Sequence, residues 1–115
     1  MYGVDINDRD WIVGNAYISR LMAHPVLWKP GAHVRDLGLP PGYATGCASR
    51  LNERGQVLVT FERPVAPKGS WIGVLFIWSD VEGFVELPRP EGFDDLMAMA
   101  LNDLGHVLLS ATHRA

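Results

Sequence analysis

Ile6-Asn7-Asp8-Arg9-Asp10-Trp11-Ile12, Leu51-Asn52-Glu53-Arg54-Gly55-Gln56-Val57 and Leu101-Asn102-Asp103-Leu104-Gly105-His106-Val107 are three copies of one pattern. Each runs apolar, Asn, acid, any residue, Gly or Asp, any residue, β-branched. The asparagines are 45 and 50 positions apart. A second pair of segments keeps the same frame: Val26-Leu27-Trp28 leading to Asp36-Leu37, and Phe76-Ile77-Trp78 leading to Glu86-Leu87. Trp to Leu is nine positions in both, and Leu37 to Asn52 matches Leu87 to Asn102 at fifteen. One length difference remains, 21 positions from Asn7 to Trp28 against 26 from Asn52 to Trp78. It assigns five extra residues to the neighbourhood of 65–70, where a surface loop is expected to absorb them.

Each copy reads as a hairpin turn. Asn opens a turn by bonding its own backbone, and Gly three positions later supplies a positive φ. Asn7, Asn52, Gly55, Asn102 and Gly105 are therefore structural turn residues, and Asp10 takes the Gly position in the first copy because Asp also visits the left-handed region. The flanks, Val57-Leu58-Val59-Thr60-Phe61, 71–78 and Val107-Leu108-Leu109, are rich in strand formers. The Leu and Met spacing over 94–104 also suits a helix, but the repeat places this stretch on the strand entering Asn102.

The predicted class is all-β: tandem four-stranded antiparallel units over 1–43, 44–93 and a partial 94–115, within one domain. Such units match the blades of a β-propeller, of which about two and a half are present. That number cannot close a ring. The open sheet edges imply homo-oligomerisation or further repeats of a longer chain.

Through Leu51 to Val59 and Leu75-Phe76-Ile77-Trp78 the chain resembles the HAF-type repeat proteins of bacteria, whose units alternate an N-x-x-G-x-V hairpin with an A-F-x-W hairpin. The resemblance implies an exported, propeller-like scaffold with no assigned activity. It brings no catalytic residues. His24-Pro25-Val26 and Val74-Leu75-Phe76 stand where the family has His-Ala-Phe.

Ten basic against thirteen acidic residues, a net charge of −3, disfavour nucleic acid as a partner. No apolar run reaches the roughly 20 residues of a membrane-spanning helix. The opening MYGVDINDRD lacks the basic and apolar segments of a secretory signal, so nothing in the residues themselves directs export.

No cofactor or metal is expected. His24, His33, His106 and His113 fall in no ligand spacing, and Glu91, Asp94 and Asp95 read as a solvated connection. Cys47, among small residues, reads as a buried inert thiol. Trp28 and Trp78 repeat and are assigned to packing between sheets. Trp11 and Trp71 do not repeat and are binding candidates. Leu39-Pro40-Pro41-Gly42-Tyr43 and Leu87-Pro88-Arg89-Pro90-Glu91-Gly92-Phe93 match as connections between units, which makes Tyr43, Arg89 and Phe93 further binding candidates. The favoured function is a non-enzymatic scaffold or binding module for a protein or glycan ligand. The alternatives are a small hydrolase or lyase with its site between protomers, and an assembly unit or fragment of a longer propeller.

Overall fold

The computed structural model describes residues 2–89 and 95–112, and every regular element within them is a strand. β1 (Tyr2–Ile6), β2 (Ile12–Tyr17), β3 (Ala23–Trp28) and β4 (Arg35–Asp36) form one antiparallel sheet in chain order. A second follows the same order with β5 (Thr45–Leu51), β6 (Val57–Val65), β7 (Ser70–Ser79) and β8 (Gly83–Glu86). β9 (Asp95–Leu101) and β10 (Val107–Thr112) pair as a third, two-stranded sheet. The chain is all-β, and no helix among the described residues is long and apolar enough to cross a membrane. The sheets lie face to face, β1, β2 and β3 against β5, and β9 against β5, β6 and β7, without closing into a ring.

The register confirms the frame of the repeat. Ile12 faces Trp28 and Val57 faces Trp78. Val26 faces Asp36 and Phe76 faces Glu86, after which the Leu37 and Leu87 amides donate to the carbonyls of Pro25 and Leu75, both at 2.9 Å. The first strand of each sheet, β1, β5 and β9, shares a feature that residue types did not announce: a bulge at Val4, Ser49 and Met99, three residues before each Asn. The five extra residues of the second unit fall around the expected stretch, but as strand rather than surface loop. They extend β6 and β7 through the pairs Arg63 with Ile72, Pro64 with Trp71 and Val65 with Ser70, and the turn itself is only 66–69. Ladder hydrogen bonds satisfy backbone groups that a longer loop would leave to water.

In every Asn turn the side-chain oxygen accepts two backbone amides. Asn7 Oδ1 takes Arg9 and Trp11, Asn52 Oδ1 takes Arg54 and Gln56, and Asn102 Oδ1 takes Leu104 and His106, all at 2.9–3.1 Å. The fourth turn position has positive φ in each: 60° at Asp10, 79° at Gly55 and 85° at Gly105. Gly55 is constrained twice over, because a Cβ there would come within 2.6 Å of the Trp11 ring of the preceding unit. Gln56 covers Gly105 in the same way.

The middle sheet is covered on both faces. Val57, Leu58 and Val59 are all fully buried, a continuous apolar run of the kind a two-sided core produces. Val57, Val59 and Phe61 join Val13, Leu27, Ala48, Leu51, Phe76 and Trp78 in the core between the first two sheets. Phe61 sits edge-on to Phe76 and Phe84 at 5.3 and 4.9 Å, and a side chain at Gly46 would overlap its ring.

Candidate functional site

The two ends of the stacked hairpins differ in chemistry. At the Asn-turn end polar groups bond from one unit to the next. Asn7 Nδ2 donates to the Asn52 carbonyl at 3.1 Å, and Asn52 Nδ2 to the Asn102 carbonyl at 3.0 Å. The Asp8 amide donates to Glu53 Oε1 at 2.7 Å, and the Glu53 amide to Asp103 Oδ1 at 2.8 Å. Asp80, in the β7–β8 turn, accepts from Lys29 Nζ and Arg35 Nη1 of the first unit at 2.8 and 2.7 Å. The Lys29 hydrogen bond, helped by Arg35, holds the Asp80 carboxyl below its ordinary pKa against the opposing effect of burial.

The opposite end is open and aromatic. The β2–β3 turn, 18–22, stands between two clefts. On one side Tyr2, Tyr17, Ser19 and Arg20 line about 440 Å³. The Tyr2 and Tyr17 rings meet edge to face, 5.6 Å between centroids at 82°, and remain 69% and 53% exposed. On the other side Leu21, Met22, Thr45, Glu62 and Trp71 line about 300 Å³. Thr45 ties the two sheets here, its hydroxyl accepting from the Ala23 amide at 2.9 Å.

The candidates from the sequence separate accordingly. Trp71 is 46% exposed and lines the second cleft. Trp11 is half-buried against the core, with Arg9 and Lys29 over its ring at 4.2 and 4.1 Å. Its work is packing, since the Gly55 turn occupies the surface a ligand would need. Tyr43 is also partly buried, its ring 5.8 Å from Phe61 and 5.5 Å from Phe76. Arg89 donates to the Gly73 carbonyl at 3.1 Å on the exterior of β7. Phe93, Glu91, Asp94 and His113 lie outside the described residues. Tyr43 and Arg89 are therefore not brought to either cleft. Trp78 is buried as expected, whereas Trp28 is half-buried.

Cys47 corrects the reading of a buried thiol. It is exposed on the edge strand β5, because the Gly46 and Ala48 positions flanking it, rather than its own, face the packed interior. Partial desolvation, then the Glu62 carboxylate, raise its pKa, which keeps it a thiol at neutral pH. His24 pairs with Asp36 at 3.0 Å, His33 borders a cleft of about 120 Å³ beside Lys29 and Arg35, and His106 lies exposed in the third Asn turn. The sequence reading missed Tyr2 and Tyr17. The criterion that selected Trp11 and Trp71 also finds them: neither is aromatic in the next copy, where Cys47 and Glu62 stand.

The chain matches no family model, no curated protein and no solved structure. Its resemblance to HAF-type repeats rests on the quoted segments alone.

Proposed function

We propose that the chain is a non-enzymatic binding module: a scaffold of consecutive propeller-like blades, as the HAF-type resemblance implies, whose hairpin end takes a saccharide. The observation that carries this reading is the Tyr2–Tyr17 pair, two perpendicular phenol walls left exposed beside Arg20 and Ser19. Aromatic faces stack on the C–H faces of sugar rings and bury apolar area at little conformational cost, while a guanidinium and a hydroxyl supply directed hydrogen bonds. Arg20 favours an acidic saccharide over a neutral one.

The test is ligand-observed NMR against neutral and acidic oligosaccharides, repeated with Tyr17→Ala and Arg20→Ala. Saturation transfer to an acidic sugar is expected, roughly tenfold weaker for Tyr17→Ala, as a stacking contribution of about 1.4 kcal/mol requires. Signals that survive both substitutions unchanged would exclude this cleft as the site. Binding of peptides but not of sugars would replace the ligand class while keeping the module.

A further inference from the structure

The first joint between units and the second use one set of contacts, moved along by one repeat. In each, the Asn Nδ2 and the acidic residue's amide of the earlier turn are donors, and the Asn carbonyl and the acidic side chain of the later turn are acceptors. A joint therefore has two unlike halves. The third turn carries an unused donor half: among the described residues Asn102 Nδ2 and the Asp103 amide have no acceptor, and Asn102 is exposed where Asn7 and Asn52 are only 5% and 3% exposed. The first turn carries an unused acceptor half. Among the described residues the Asn7 carbonyl receives only the Asp10 amide, and nothing donates to the Asp8 carboxylate.

The sheet faces behind these turns are split in the same way. Val13 and Leu58 occupy one repeat position, and both are fully buried because a later unit covers them. Leu108 is the third member and is 63% exposed. On the opposite face Leu51, Val57 and Trp78 are buried by the preceding unit, while their counterparts Ile6, Ile12 and Trp28 at the head of the chain are exposed or half-buried.

We propose that a second copy of this chain docks head to tail, its Asn7–Asp8 turn and the Ile6, Ile12 and Trp28 face seated on the Asn102–Asp103 turn and Leu108 of the first. One chain carries both halves of a joint it already makes twice, which singles out a second copy over any unrelated partner. His106, the counterpart of Trp11 and Gln56, falls over Asp10 in this arrangement. An imidazole and a carboxylate then meet where the internal joints place a side chain over Gly. The contact is heterologous, so copies add in one direction and give a ring if the rotation closes. It uses the turns and sheet faces, not strand pairing at the open edges.

Light scattering coupled to size exclusion, over a wide concentration range, tests this with Asp8→Lys and Leu108→Glu. Both positions are exposed, and circular dichroism checks that each variant keeps its strands. The unaltered chain is expected to exceed the 12.7 kDa of one copy as concentration rises. Each variant alone is expected to be monomeric, because one half of its joint is spoiled. An equimolar mixture is expected to stop at a dimer, since Asp8→Lys retains a working tail and Leu108→Glu a working head. A monomeric parent at every concentration, a variant that still associates alone, or a mixture that stays monomeric overturns the proposal. The cleft is separate: Tyr17→Ala should leave the masses unchanged.

Discussion

Replacing each turn asparagine by alanine separates what the turn contributes from what the joint contributes. Asn52→Ala removes four hydrogen bonds: two to Oδ1, and two from Nδ2 to Gln56 Oε1 and the Asn102 carbonyl. Asn7→Ala removes three, and Asn102→Ala only the two within its own turn. At about 1 kcal/mol net for each buried bond, Asn52→Ala costs roughly 3–4 kcal/mol and Asn7→Ala about 3. Asn102 is exposed, so water replaces much of what is lost and the cost is about 1 kcal/mol. For a domain near 100 residues, the gap between Asn52→Ala and Asn102→Ala corresponds to roughly 10–20 °C in Tm. The assay is urea and thermal unfolding followed by tryptophan fluorescence, at a dilution where the chain is monomeric. Costs for Asn52→Ala and Asn102→Ala within about 0.5 kcal/mol of each other would show that the bonds between units contribute nothing to stability.

Gly55→Ala should destabilise more than Gly105→Ala although both have positive φ, because the first meets the rigid Trp11 ring and the second the end of flexible Gln56. A difference of about 1–2 kcal/mol by urea unfolding is expected, and most of it should vanish in a Trp11→Ala background. Phe61→Ala should cost about 3–5 kcal/mol by the same assay, since Phe61 is fully buried among Tyr43, Phe76 and Phe84. The lowered pKa of Asp80 means that its ion pairs stabilise the fold above about pH 4, and that this increment fades as pH falls through the folded-state pKa. Asp80→Asn should thus lower Tm slightly at pH 7, by an amount that shrinks as the pH falls through the folded-state pKa of Asp80, the pairs being partly exposed and worth about 0.2–1 kcal/mol. Cys47 should react slowly with a disulfide reagent at pH 7.5, and faster in Glu62→Gln, because removing the carboxylate charge lowers the thiol pKa.

Much of the architecture was legible because the repeat fixes spacing independently of propensity. Three Asn turns with their Gly or Asp positions, the Trp-to-Leu hairpins and the strand at 95–101 in place of a helix follow from alignment of the chain with itself. The bulges were not legible, since Val4, Ser49 and Met99 share no chemistry and a bulge is a property of pairing. Nor was the fate of the five extra residues, because Arg63-Pro64-Val65 resembles a loop until Ser70 to Ile72 is seen opposite it. The candidate surface was half legible. Trp71 was selected by its failure to repeat, whereas Tyr43 was chosen for its place in a connection, a criterion blind to the aromatic cluster that draws its ring inward.

The longer second hairpin separates inheritance from invention within one unit. Five residues entered between Asn52 and Trp78, yet the contacts from Asn7 to Asn52 and from Asn52 to Asn102 remain the same, because the extension projects from the end that takes no part in them. Length and composition at the open end can therefore drift without loosening the stack. A change of even one residue in an Asn turn would shift the donors of one joint off their acceptors. Duplicating a unit then yields a new surface at no cost to the old joints, which is how an array of this kind can diversify what it holds while keeping how it is held.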